Sequence, residues 1–134
     1  MKLNDSLGGA NWIVPFSNGA LRAPHVKQIG PAFPLFLLYE DWVTTGEGTD
    51  GLVRGGRPVT DAEPARQLGV HPQSVREQRL RLEKHHYILA TRTGHGYIIR
   101  VRKSKKWLWF QAVKRWTRLP SATTRQPQAV SDER

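Results

Sequence analysis

Apolar residues recur along the middle of the chain with two different periods, and the change of period divides it into elements. In "GPAFPLFLLYEDWVTT", Leu35, Leu38, Tyr39 and Trp42 stand at i, i+3, i+4 and i+7, the stripe of an amphipathic helix. Pro31 and Pro34 are tolerated only near its first turn, so this first predicted helix starts close to them. "GEGTDGLVRGGRP" reads as a glycine-rich loop around Leu52 and Val53, a pair suited to a short strand. A second helix is expected in "VTDAEPARQLG", where Thr60 and Glu63 have the spacing of a capping box, Ala62, Ala65 and Leu68 form a small packing face, and Gly69 ends it. Pro64 fits best if Asp61 is the cap, because it then lies in the first turn, where no N–H is required.

Pro72 suits the first position of a third helix, which follows the turn Gly69-Val70-His71 and runs to about His85. At 100° per residue Val75, Leu82 and His86 share one side with Gln78 and Arg79 beside them, and Gln73, Arg76, Glu77 and Leu80 share the other. The period then falls to two. Tyr87 to Arg92 and Tyr97 to Lys103 flank Thr93-Gly94-His95-Gly96, a hairpin signal, with Tyr97, Ile99 and Val101 on one face and Ile98, Arg100 and Arg102 on the other. "SKKWLWFQAVKRWTRL" predicts a fourth helix with Trp109, Ala112, Val113, Trp116 and Leu119 on its apolar face and Lys106, Lys114 and Arg115 mostly elsewhere.

Charge adds a direction to this pattern. The net charge is +10, but residues 72–118 hold 13 basic and two acidic side chains, so the rest of the chain is close to neutral. A positive field concentrated in one stretch favours a polyanion, since each phosphate neutralised releases condensed counterions. Cysteine is absent, which removes disulfides and thiolate metal sites from consideration. The run Trp12 to Phe16, broken by Pro15, is too short for a signal peptide or a membrane span, so a soluble, cytoplasmic protein is expected.

The order helix, short strand, helix, turn, basic helix, hairpin is that of a winged helix-turn-helix. The fold class expected is therefore α+β, mainly α: three helices, a two- or three-stranded β-wing and an extra basic amphipathic helix at the C-terminal end. Residues 1–28 read as an irregular arm, 29–103 as the winged domain, 104–119 as the basic aromatic helix and 120–134 as a disordered tail. A helix about 10 to 12 Å across fits the major groove of double-stranded DNA, and a hairpin with a glycine-containing tip suits the neighbouring backbone or minor groove.

The residues expected to meet DNA from the third helix are Gln73, Ser74, Arg76, Glu77, Leu80 and Arg81. From the hairpin and its exit they are Arg92, Thr93, His95, Arg100, Arg102, Lys103, Lys105 and Lys106. Arg76 and Arg81 suit phosphates or the O6 and N7 atoms of guanine, whereas the lysines give affinity without sequence reading. Arg79 lies near the buried seam and is expected to bond a carboxylate inside the fold. Leu80 suits a thymine methyl, a partner subunit or plain exposure. Trp107, Trp109, Phe110 and Trp116 admit stacking on single-stranded bases, although packing or dimerisation is the simpler expectation.

Other chemistries find little support. Gly46, Gly48 and Gly51 spell G-x-G-x-x-G, but a helix precedes them and Arg57-Pro58 follows, so they read as turn residues and not as a dinucleotide loop. No hydrolase, zincin or Walker motif is present, Glu40-Asp41 read as solvent-facing charge, and His85-His86 diverge too far to chelate. A non-enzymatic protein without cofactor, metal, membrane or small-molecule substrate is expected.

"GGRPVTDAEPARQLGVHPQSVREQRLRLEKHHYILATRTGHGYIIRVRKSKKW", preceded by "IGPAFPLFLLYEDWVT", resembles the winged-helix domains of phage and plasmid replication-initiator and replisome-organiser proteins. Leu68, Gly69, Val70, Val75, Leu82, Tyr87 and Ile88 match that family's core positions. The resemblance implies origin binding or replication initiation in a mobile element, with a homodimer or a replication or transcription protein as partner of the tryptophan-rich helix. A transcriptional repressor shares the same architecture, and an adaptor that uses the domain to bind protein is the alternative outside DNA binding. His71 stands where the family has Ser or Thr as a cap, Pro64 replaces an aliphatic, and His85-His86 replace a turn of small residues.

Overall fold

The computed structural model describes residues 15–118. A 3₁₀ turn, Asn18–Leu21, leads into α1 (His25–Ile29), a second 3₁₀ turn, Gly30–Ala32, and α2 (Phe33–Asp41). A first hairpin follows, β1 (Val43–Glu47) and β2 (Asp50–Val53). Then come α3 (Ala62–Leu68), α4 (Pro72–Lys84), the hairpin β3 (Ile88–Thr93) and β4 (Gly96–Val101), and α5 (Lys105–Arg118). The architecture is α+β, with helices against one antiparallel sheet of four strands in the order β1-β2-β4-β3.

The core forms where the apolar stripes of α2 and α4 meet the inner face of the sheet. Leu35 and Tyr39 of α2, Val75 and Leu82 of α4, Ile88 of β3, and Ile99 and Val101 of β4 are all buried. Ile29 and Ala32 close the same core, so the segment just before α2 is part of the fold. Half of the arm expected over 1–28 lies outside the described residues; the remainder carries the 3₁₀ turn and most of α1.

Local capping explains the helix ends. Glu63 reaches back to the Thr60 N–H at 3.1 Å, half of the capping box, and Asp61 is the cap residue, which leaves Pro64 in the first turn and buried. Gly69 takes a left-handed conformation, φ 71°, and ends α3. His71 caps α4 as a serine would, its Nδ1 accepting from the Gln73 N–H at 3.0 Å. At the other end His86 lies beyond α4 with φ 65° and is exposed, not on the buried seam where helical extrapolation put it.

Two expectations are corrected by the first hairpin. The loop holding G-x-G-x-x-G is a β-hairpin: Gly48 makes the turn, while Gly46 and Gly51 lie within strands. A Cβ on Gly51 would lie 2.7 Å from Val43 Cγ1 and 2.8 Å from Ser104, so this glycine admits the close approach of α5. The sheet accordingly has four strands where two or three were expected, because β2 pairs with β4 through Gly51↔Val101 and Leu52↔Arg100. An isolated bridge, Val59↔Tyr97, continues that edge towards the tip of the second hairpin.

Glu40 is the other correction: it is 2 % exposed and not solvent-facing. Its carboxylate accepts from the Ser104 hydroxyl and from the Lys105 N–H at 3.2 Å, and Ser104 in turn caps α5 by accepting from the Trp107 N–H at 3.1 Å. Burial pushes the Glu40 carboxyl above its ordinary range, against the hydrogen bonds from Ser104 and Lys105 and the nearby Lys106 charge. Because the folded state favours the protonated form, this group's contribution is largest at low pH and declines as pH rises through the raised pKa. Glu40→Gln should keep the acceptor, remove that pH-dependent component from urea denaturation curves and leave neutral-pH stability within about 1 kcal/mol of the parent. Glu40→Ala should lose about 1–3 kcal/mol. A steeper pH dependence in Glu40→Gln would count against this assignment.

Candidate nucleic-acid interface

The face of α4 away from the core carries the side chains expected there. Gln73, Arg76, Glu77 and Leu80 are exposed and Ser74 is half-buried. Gln73 donates to Glu77 at 3.4 Å, whereas the Arg76 guanidinium has no partner among the described residues. Leu80 is an exposed large hydrophobic, 43 % accessible.

Arg79, on the neighbouring side of the same helix, is 2 % exposed and makes the internal pair expected of it. Its Nε and Nη2 each donate at 3.0 Å to the two carboxylate oxygens of Asp61. The guanidinium also stands 3.8 Å over the Tyr97 ring. Burial works against its charge, but the hydrogen bonds and charge of Asp61 outweigh that and hold its pKa up. One side chain thus ties α4 to the start of α3 and to the end of the second hairpin.

The register of that hairpin decides which of its residues join α4. Tyr97, Ile99 and Val101 face the helices, and their cross-strand partners Arg92, Ala90 and Ile88 share that face. Arg92 therefore lies on the helix side of the hairpin, exposed and without a partner among the described residues. It is opposite Tyr97, on which Arg79 stacks, and Arg76 precedes Arg79 by about one turn of α4. The tip is rigidified by Thr93, whose Oγ1 donates to the Gly96 carbonyl at 2.9 Å and accepts from the His95 N–H at 3.1 Å.

Four of the expected cations are already committed within the fold. Arg81 donates to the Gln28 carbonyl at 2.7 Å and the Lys27 carbonyl at 2.9 Å, closing the end of α1, and it is half-buried. Arg100 pairs with Glu47 and stands 3.6 Å from Asp50, and Arg102 stands 3.8 Å from the same Asp50. Lys106 donates to the Asp41 carbonyl. The physical reason is the first hairpin, which carries Glu47 and Asp50 beside β4, together with the buried cap that seats α5 against the end of α2.

Lys103 and Lys105 are exposed, and their amines have no partner among the described residues. They belong with Arg102 to a second cluster at the base of the hairpin, roughly 16 Å along β4 from Tyr97. The fourth helix is also rotated from expectation. Trp107 packs against the core and its Nε1 donates to the Gly48 carbonyl at 3.0 Å, while Trp109 and Val113 are 51 % and 41 % exposed. The described part of the apolar stripe read from the sequence, Trp109, Ala112 and Val113, therefore faces outward, because the Ser104 cap and the glycines of the first hairpin select Trp107 for the inner side. Trp116 as a side chain, Leu119 and the tail 120–134 lie outside the described residues.

Among the described residues no three His, Asp or Glu side chains converge as a metal site, and no helix is long and apolar enough to cross a membrane. No known protein family profile matches the chain, and no solved structure matches it. It is similar to the phage-like element PBSX protein XkdB of Bacillus subtilis (strain 168), 38 % identical over 96 residues. That similarity takes in 69 % of this chain and 34 % of XkdB, so the chain spans about a third of the length of the relative it matches.

Proposed function

We propose that the protein binds double-stranded DNA as a winged helix-turn-helix, with α4 in the major groove and the β3–β4 hairpin on the adjacent backbone or minor groove. The observation that carries this reading is the stacking of Arg79 on Tyr97, which seats α4, bearing Arg76 on its outer face, against the hairpin bearing Arg92, two guanidinium groups without a partner among the described residues. A helix of about 10 to 12 Å diameter enters a groove about 12 Å wide, where Arg76 and Gln73 reach base edges and Arg92 and His95 meet phosphates. The role proposed is replication initiation or origin binding in a mobile element, in keeping with the similarity to a protein of a phage-like element.

Titration of random duplex DNA at two salt concentrations tests the binding. Affinity should fall with a log–log slope near −0.9 for each phosphate neutralised. Arg76→Ala should reduce discrimination between preferred and random sites by about 1–3 kcal/mol if Arg76 reads a base. Equal weakening on every sequence would assign it to phosphate instead. No duplex binding at low salt would end the proposal in favour of a protein adaptor. Selecting bound sites from a random library, and finding them at origins or at promoters, separates the replication role from repression.

A further inference from the structure

The helix α5 carries Lys105, Lys106, Lys114, Arg115 and Arg118 and no carboxylate at all. Between its start, the end of α4 and the turn before α1 lies a cleft of about 600 Å³ whose rim includes Arg102, Lys103 and Lys105. Lys103 is held there in a left-handed conformation, φ 50°, by its N–H donating to Asp50 at 3.1 Å, a geometry that a residue with a Cβ adopts only under strain. Glu40, the carboxylate at the cleft, is spent on Ser104 and the Lys105 N–H. One helical turn beyond Lys105, and therefore on the same side of α5, stands Trp109, half exposed and tilted against Phe110 with ring centroids 5.4 Å apart.

We infer that this surface binds single-stranded nucleic acid, with phosphodiester groups along the cleft at Lys103 and Lys105 and an unstacked base on Trp109. Charge selects the occupant. A second copy would set one wholly cationic helix against another, whereas a polyanion gains from every amine it meets. The exposed ring selects among polyanions, because duplex bases are already stacked on each other and offer only their edges, while a single strand brings free π-faces to an aromatic platform. This site is separate from the α4 face: Arg76 lies nine residues before His85, another residue of the cleft, roughly 13 Å away along the helix.

The test uses the full chain and a labelled short oligothymidylate, read by fluorescence anisotropy. Trp109→Ala should weaken binding by about tenfold and Trp109→Phe by less, as expected for the loss of one stacked base. Lys103→Gln with Lys105→Gln should flatten the salt slope by about 1.4, at 0.7 per phosphate on a single strand. Duplex affinity should be unchanged by Trp109→Ala and reduced by Arg76→Ala, so failure of the two readings can be told apart. An oligouridylate bound as well as the oligothymidylate would extend the site to RNA, and weaker binding would restrict it to DNA. The inference is overturned if Trp109→Ala leaves oligothymidylate affinity intact in a chain whose thermal melt is unaltered, or if the full chain does not bind the oligonucleotide. Concentration-dependent dimerisation, or capture of an acidic peptide, abolished by Trp109→Ala would overturn it equally.

Discussion

Asp61→Ala should lower the stability of the protein by about 3–5 kcal/mol, a fall in Tm on the order of 10 to 20 °C. The reason lies with the partner left behind. Arg79 is 2 % exposed, both of its bonded nitrogens donate to Asp61, and its guanidinium is covered by Tyr97. Removing the carboxylate leaves a desolvated cation that can neither reach water nor lose its proton. Replacing both residues, Asp61→Ala with Arg79→Leu, should recover much of the loss, since the cost is that of an uncompensated charge and not of a missing contact. A double-mutant cycle in urea measures the coupling directly. Because Arg79 also fixes α4 against the hairpin, Asp61→Ala should weaken duplex binding even below the melting transition. A loss of stability under about 1 kcal/mol would show that the pair does not anchor the helix.

Gly46→Ala should cost about 1–3 kcal/mol or more, and the damage should be concentrated at α5. A Cβ at this position would sit 2.6 Å from Trp107 Cδ1 and against the Asp50 carbonyl oxygen. The indole could swing away, but the carbonyl belongs to the first residue of β2, paired across the hairpin with Glu47, and has no such freedom. Trp107 would have to leave the sheet, breaking its bond to the Gly48 carbonyl. Hydrogen exchange should then show faster opening of α5 and of the β1–β2 hairpin with α4 little changed, and Trp107→Ala should relieve the part of the clash that falls on the indole but not the part on the Asp50 carbonyl, so the two substitutions would be less than additive. Uniform loss of protection across the whole chain would contradict this local account.

Much of the scaffold was legible because it depends on interactions between near neighbours. The i, i+3, i+4 stripe of Leu35, Leu38 and Tyr39, Pro72 at the head of α4, Gly69 after α3 and the change to alternation at Tyr87 each act within a few residues. Even the internal partner of Arg79 was anticipated as a carboxylate from its place beside the seam, though not as Asp61. The short strand at Leu52 and Val53 is legible and forms as part of β2, but its partner β1 is not, because the alternation there is interrupted by glycines. Those glycines read as loop when their actual constraint is the approach of Trp107 and Ser104 from a helix more than fifty residues later. Glu40 was misplaced for the same cause: nothing near it in sequence shows that Ser104 and Lys105 will arrive to bond it. A hint was present in the position of Glu40 directly after Tyr39 on the stripe, which places it close to the buried side.

By itself, then, the chain's order of residues determined the helices α2 to α5, the second hairpin and the confinement of positive charge to residues 72–118, but not α1, since propensity, capping and composition are local properties. Only the tertiary structure decided which cations remain available. Arg81 is taken by carbonyls 53 and 54 positions away, Arg100 by a carboxylate 53 positions away and Lys106 by a carbonyl 65 positions away, while Arg76, Arg92, Lys103 and Lys105 are left facing outward. A charge is spent or free according to what the packing of distant elements brings within about 3 Å of it, and that distance is set by strand pairing and core closure, not by the neighbours of the residue in the chain.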